Sequence, residues 1–279
     1  MLVFKSIKNL QEYISSFSAD KTIGFVPTMG ALHKGHLSLI NNASLKNDFV
    51  VVSIFVNPTQ FNKAEDLKKY PRNLEADISL LNEVKCNVVF APAAAEMYAD
   101  KVESSSFNFD GLEHLMEGEF RAGHFDGVGT IVKKLFEIVN PTNAYFGEKD
   151  FQQLQIIKKM VSKNKLNVNV IGCDIFREDD GLAMSSRNTL LTSEQRKAAP
   201  IIYKTLKQVR EKFENDCIDD CISWVKSEFE KQSILELEYF QIADEETLKQ
   251  ASDNNSKKNY RAFIAVFADK VRLIDNIKL

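Results

Sequence analysis

The chain has 279 residues, 44% hydrophobic and 27% charged, a globular make-up with room for one large or two modest domains. Its 36 basic and 39 acidic residues leave a net charge of −3, which gives no broad cationic footprint and argues against a nucleic-acid partner. No apolar run approaches the roughly 20 residues of a spanning helix, so no membrane partner is expected.

The opening MLVFKSIKNLQEYI has no apolar block followed by a small-residue cleavage site. No signal peptide is expected, and a cytoplasmic location follows. The cysteines Cys86, Cys173, Cys217 and Cys221 form no CxxC, and neither His nor further Cys flanks the last two. They are expected to be reduced thiols, Cys217 and Cys221 facing the same way on a helix, and no metal ligand set is expected of the protein.

In chain order, KTIGFVP (21–27) predicts a buried strand and HLSLINNASLKN (36–47) a helix. DFVVVSIFV (48–56) is a continuous β-branched and aromatic run, the pattern of a central parallel strand. A helix over 73–85, a strand over 87–92, a helix over 126–140, a strand over 143–147, a helix over 150–163 and a strand over 167–172 follow. This alternation implies βαβ crossovers and a Rossmann-like α/β fold: a parallel sheet with helices on both faces.

After about Phe176 the texture changes. Amphipathic helices are predicted over 193–215 and 217–232, and strands over 234–243, 259–268 and 271–277, the last two as an antiparallel hairpin. ASDNNSKKN (251–259) reads as a loop. All 11 glycines lie between Gly24 and Gly181, where backbone would turn sharply or approach a ligand. Two domains are therefore expected: 1–175, Rossmann-like and ligand-binding, and 176–279, a smaller α+β C-terminal domain.

The strongest motif is GFVPTMGALHKGHLSLI (24–40), a strand, a glycine-containing loop and a helix start. A helix N-terminus offers unpaired N–H groups and a positive dipole, a seat for phosphate. Gly35 leaves room beside an adenine or ribose, and His33 and His36, three apart, can project from one side of the first turn. Their imidazoles could donate to charge developing on a nucleotide's α-phosphate. The HxGH pattern resembles the signature of the class I adenylate-forming and nucleotidyltransferase superfamily; surface or capping histidines would show the same letters.

GLAMSSRNTLLT (181–192) places Ser185, Ser186 and Arg187 in succession. Hydroxyls bond phosphate oxygens and a guanidinium can fork onto two of them. The segment resembles the mobile KMSKS-type loop of that superfamily, though Ser-Ser-Arg-Asn also suits a helix-capping turn. NAYFGEKDFQQLQII (143–157) sets Lys149 where a strand gives way to a helix, suited to phosphate or simply solvated. Asp150 could hold a ribose hydroxyl or cap the helix, and Gln153 could point into the same cleft. In VSIFVNPTQF (52–61), Asn57 and Gln60 follow a buried strand, as cleft amides or as a plain βα turn.

Together VPTMGALHKGHLSLI, VVSIFVNPTQFN, YPRNLEADISLL, FRAGHFDGVGTIVKKLFEIVNPTNAYFGEKDFQQL and REDDGLAMSSRN resemble the pantothenate synthetase (pantoate–β-alanine ligase) family. The resemblance runs from about Ile23 to Leu191, with a weaker echo at VRLIDNI. It implies an ATP-dependent ligase with pantoate, β-alanine and ATP as partners, Mg²⁺, a pantoyl-adenylate intermediate, release of AMP and pyrophosphate, and a homodimer. It implies a catalytic set of His36 (proton donor), His33 (phosphate and transition state), Lys149 and Arg187. ATP contacts would come from Met29, Gly30, Ala31, Leu32, His33, Lys34, Gly35 and His36, from Gly147, Glu148, Lys149 and Asp150, from Phe176, and from Met184, Ser185, Ser186 and Arg187. Substrate contacts would come from Pro27, Thr28, Met29, Asn57, Gln60 and Gln153. No protein cage for Mg²⁺ is suggested; the metal would be held by phosphates and water.

Two positions depart from the family's pattern. Ala122 stands where proline often follows the arginine, and Phe176 where a smaller residue is common, so any contact at 176 would run through backbone. His114 reads as structural, and His124, ahead of the DGVGT helix, as a fold-stabilising residue with a catalytic part as the alternative. A nucleotidyltransferase that leaves AMP or CMP on its product, and a non-catalytic nucleotide-binding module, are the competing readings; a stable nucleotidylated product, or ATP binding without pyrophosphate release, would mark them.

Overall fold

A strand covered on both faces needs apolar side chains on both, and the sequence supplies them at the two central positions. These form β2 (Ile23–Thr28) and β3 (Phe49–Ile54), parallel from Ile23↔Phe49 to Thr28↔Ile54. With β1 (Leu2–Phe4), β4 (Val88–Phe90), β5 (Asn143–Gly147) and β6 (Asn169–Cys173) they build a six-stranded parallel sheet in the order β1-β4-β3-β2-β5-β6. The computed structural model describes residues 1–18, 20–61, 67–68, 70–98, 101–253 and 258–279. The expected loop 251–259 therefore lies partly outside the described residues.

From β2 the chain winds outward through β3 to β4, then returns to the other side of β2 for β5 and β6. The winding reverses between β2 and β5. At such a switch point the connections leaving the carboxyl ends diverge and open a crevice.

Between the strands run α1 (Ile7–Ser15), α2 (Lys34–Lys46), α3 (Leu74–Leu81), α4 (Ala94–Met97), α5 (Glu117–Phe120), α6 (His124–Val139) and α7 (Phe151–Asn164). Val26, Ile40, Val50, Val52, Leu81 and Val89 are fully buried where α2 and α3 cover the sheet. Both β1 and α1 lie outside the predicted elements: three residues at a sheet edge are too few to show a period, whereas the nine-residue α1 carries one that the prediction passes over. The helix predicted from 36 starts at Lys34, and the one predicted from 126 starts at His124 after Gly123.

The chain divides into two compact units, Met1–Glu148 with Gln152–Asp174, and Lys149–Phe151 with Ile175–Leu279. In the second, β7 (Glu236–Asp244), β8 (Tyr260–Ala268) and β9 (Val271–Lys278) form an antiparallel sheet, with the expected hairpin closing at Ala268↔Val271. The helix predicted over 193–215 is broken into α8 (Ser193–Ala198) and α9 (Ile201–Phe213) at Pro200, which has no N–H to continue the ladder. α10 (Ile218–Glu230) is capped by Cys217, which is exposed while Cys221 is buried. The expected shared face fails because Cys217 sits outside the helical turn.

Asp48 ties the starts of β2 and β3 together. It accepts from the Thr22 N–H (2.9 Å), the Thr22 hydroxyl (2.8 Å) and Lys21 Nζ (3.1 Å). These bonds, the Thr22 N–H foremost, hold its carboxyl down at about 2 against an ordinary 3.8. A depressed acid contributes its full stability above the unfolded value and loses it as pH falls through the folded one. Asp48→Asn is therefore expected to flatten the acid limb of stability between about pH 4 and pH 2, read from urea midpoints. An acid limb identical to that of the unaltered protein would show that the network does not survive in solution.

Candidate functional site

The chain leaves β2 through a left-handed turn. Gly30 has φ +81°, and a Cβ there would meet Asp77 Oδ2 at 3.0 Å and Ile54 Cγ2 at 3.2 Å. Ala31 follows at φ +51°, a region unfavourable for any residue with a Cβ. Asp77, on α3 and 3% exposed, holds the turn by accepting from the Leu32 N–H (2.7 Å) and the Ala31 N–H (3.2 Å). Burial pushes its carboxyl above the ordinary value, and the two backbone donors pull against that. Thr28 completes the support: its hydroxyl donates to Ser53 O (2.8 Å) and accepts from the Gly30 N–H (3.2 Å).

Where the turn ends, His33 caps α2. The Gly35 N–H donates to His33 Nδ1 (3.1 Å) and the His33 N–H to His36 Nδ1 (3.2 Å), a reciprocal capping box. A ring nitrogen that accepts carries no hydrogen, so both rings hold their N–H at Nε2. The ring centroids are 4.0 Å apart. The expected unpaired N–H groups are engaged in part: Gly35 by the box, and His36 by His33 O (2.8 Å). The histidines are thus caps and a matched donor pair at once. Pro27, Met29, Ala31, His33, Gly35 and His36 are half-buried, Thr28, Gly30 and Leu32 buried, and Lys34 exposed.

After β3 the residues Pro58–Gln60 form a 3₁₀ turn packed on α6, where a Cβ on Gly127 would come 2.4 Å from Thr59 O. Asn57 is fully buried. Its amide donates to Gly127 O (3.1 Å) and Thr59 Oγ1 (2.9 Å), and its oxygen accepts from the Tyr98 hydroxyl (2.6 Å). It builds the wall of the turn. Gln60 O is held by Arg121 Nη2 (3.3 Å) and His124 Nδ1 (3.2 Å), which gives His124 the structural part expected of it. Gln153 is half-buried in the first turn of α7.

The remaining residues gather in the second unit, except Gly147 and Glu148, which end β5 and begin its 3₁₀ turn in the first. Lys149, Ser185, Arg187, Asn188, Arg272 and Asp275 line one cleft. Lys149 Nζ lies 3.6 Å from Asp150 Oδ2. Ser185 caps the 3₁₀ turn Ser186–Leu190 by accepting from the Arg187 N–H (3.3 Å), so the capping reading holds here. The capping turn and the phosphate reading do not exclude each other: Arg187 is exposed and its guanidinium is not part of the cap. Phe176 meets this segment through backbone, its carbonyl accepting from the Met184 N–H (2.9 Å).

The structure brings His33 together with His36, and Lys149 together with Ser185 and Arg187. Asp77 is absent from the residues that the sequence singles out. Its one local signal is a carboxylate on the periodic, otherwise apolar face of NLEADISLL.

Residues 2–278 match the family model of pantoate–β-alanine ligases. The pantothenate synthetase of Flavobacterium psychrophilum is 55% identical over 281 residues, with 100% of both chains covered. That of Christiangramia forsetii is 54% identical, covering 100% of this chain and 99% of its own. The crystal structure of pantothenate synthetase from Thermus thermophilus superposes with a TM-score of 0.91 at 39% identity, covering 100% and 99%. A pantoate–β-alanine ligase from Francisella tularensis, complexed with β-γ ATP and β-alanine, gives 0.83 at 38%, covering 100% and 97%.

Removing the Asp77 carboxylate leaves two backbone donors of the turn without their acceptor. Asp77→Ala is expected to lower the unfolding free energy by about 1–3 kcal/mol, the loss attached to a stranded buried donor. Urea denaturation checks this; a change near zero would mean that the turn does not need the carboxylate.

Proposed function

Since this chain belongs to the pantoate–β-alanine ligase family and joins pantoate to β-alanine with cleavage of ATP, we propose that His33 and His36 serve the α-phosphate during formation of pantoyl-adenylate. A pantoate carboxylate oxygen attacks the α-phosphorus, the bond to the β-phosphate breaks, and pyrophosphate leaves. The β-alanine amine then attacks the acyl carbon, its nitrogen gives up a proton, and AMP departs. The observation that supports these roles is the capping box, which fixes both imidazoles as Nε2–H donors on the loop leaving β2. Donors held in place before charge develops lower the barrier most, with His36 as the proton donor and His33 on the phosphate.

Lys149 and Arg187 would carry the phosphate charge, Arg187 by a bidentate fork, with Ser185 and Ser186 adding hydroxyls. Met29 to His36, Gly147 to Asp150, Phe176 through its backbone and Met184 would line the nucleotide. Gln60 and Gln153 would hold pantoate, with Pro27, Thr28 and Met29 beside them, and Gln60 would also border the β-alanine position. Asn57 would act by keeping Gln60 in place. An anhydride must be kept from water, so the 184–187 segment is assigned the closing part. On this reading 1–175 and 176–279 are the functional domains.

Mg²⁺ would enter on the ATP phosphates, where it neutralises charge. The donor set around Lys149 fits a metal held in that way, since Asp275 in the same cleft is already paired with Arg177. A homodimer and a cytoplasmic location complete the proposal. Four unpaired cysteines support a reducing compartment, and the described residues contain no helix long and apolar enough to cross a membrane.

Pyrophosphate release that requires pantoate, with amide formed only after β-alanine is added, is the expected behaviour. His36→Ala should slow adenylate formation by about a hundredfold or more, the scale of losing one preorganised donor. Near-normal turnover by that variant would remove His36 from the chemistry, and a stable nucleotidylated product would replace the ligase by a nucleotidyltransferase.

A further inference from the structure

Two polar residues on β9 are buried side by side, Asp275 (4% exposed) and Asn276 (2%). A strand that alternates faces has no general reason to bury both. Each is fully engaged. Asp275 takes a bidentate pair from Arg177 (2.6 and 2.9 Å) and accepts from the Asn276 N–H (2.8 Å). Arg177 donates onward to Gly181 O (3.1 Å) and lies 3.5 Å over the Tyr203 ring, so it clamps the start of the segment that leads to Ser185 and Arg187. Asn276 accepts from Arg261 Nη1 (2.6 Å) and donates from Nδ2 to Lys149 O (3.0 Å). Arg261 in turn pairs with Glu245 (2.8 Å) and lies 4.0 Å over the Phe151 ring, two residues beyond Lys149.

The two ends of this network meet the same cleft, which Lys149, Arg187 and Asp275 all line. We propose that Asn276 and Asp275 are positioning residues for the ligase reaction: Asn276 sets the Lys149 backbone, and through it the ammonium, while Asp275 sets the Arg187 segment through Arg177. The proposal rests on the phosphate role given to Lys149 above. A side-chain amide is suited to this place because it donates to a carbonyl and accepts from a guanidinium at once. A carboxylate or an aliphatic residue can do only one or neither.

The test is a double-mutant cycle on pantoate-dependent pyrophosphate release, using the full chain. Asn276→Ala is expected to lower kcat about tenfold or more with KM for pantoate within about twofold, the pattern of a lost transition-state contact. In a Lys149→Ala background the same change should cost less than about twofold, because the group it positions is gone. Equal losses in both backgrounds would reduce Asn276 to a purely structural part and overturn the proposal while leaving the role of Lys149 intact. A Lys149→Ala variant with an unaltered rate would sink the phosphate reading, and the relay with it. Should Asn276→Ala fail to fold, Asn276→Asp keeps an acceptor for Arg261 and replaces the donor to Lys149 O by a charged oxygen that cannot donate. The same cycle then applies, with a tenfold loss confined to the Lys149 background supporting the relay and equal losses rejecting it.

Discussion

A buried carboxylate facing two consecutive backbone N–H groups is the interaction on which the turn from β2 into α2 depends. The chain must reverse from β2 into α2 within a few residues, and it does so by placing Ala31 in the left-handed region. That conformation costs an L-residue about 1–2 kcal/mol. Asp77 offsets it with bonds to Ala31 and Leu32, and the position of His33 as cap follows directly. With the cap come the ring tautomers. A relaxed turn would release the capping box, and with it the reason for either imidazole to present its Nε2–H. The desolvation of Asp77 is thus the local cost of a turn that fixes both imidazoles in one tautomer.

Under the proposed roles the two compact units would contribute different physical means. The first would offer hydrogen-bonding groups: two imidazoles, the amide of Gln60 and the packed turn that Asn57 holds. The second would offer charge: Lys149 and Arg187, each on a backbone segment braced by buried ionic and amide contacts. Buried ion pairs are weak evidence for stability, and Arg177 with Asp275 is better understood as fixing direction. Its bidentate geometry and the stacked Tyr203 ring leave the guanidinium one orientation. A lysine at 177 could satisfy the charge but not the fork.

The sheet is legible in the sequence because a continuous apolar run such as 49–54 suits a strand covered on both faces. The motifs are legible because chemistry is concentrated in short, contiguous strings. What escapes is of two kinds. Pro200 is visible but overridden by the periodicity on either side of it, and only its missing N–H explains the break between α8 and α9. Asp77, Asp275 and Asn276 escape for a deeper reason. Their partners lie 46, 98 and 127 residues away, and nothing local distinguishes a polar residue that will be buried and satisfied from one on the surface. Cys217 shows the converse: helical spacing suggests a shared face with Cys221, whereas the capping position puts it outside the turn.

The distance in sequence between Lys149 and the amide that braces it has a temporal meaning. Their hydrogen bond spans 127 residues, so a ribosome that has made the lysine must translate a further long stretch before its support exists. The closure entropy of such a loop is met only when β9 docks, which makes this bond a late event in maturation. A chain that ends after β6 but before β9 has all six strands of the parallel sheet and the lysine, but not the amide that donates to the lysine's carbonyl. The cation is thus made long before its brace, an order of supply written into the connectivity alone.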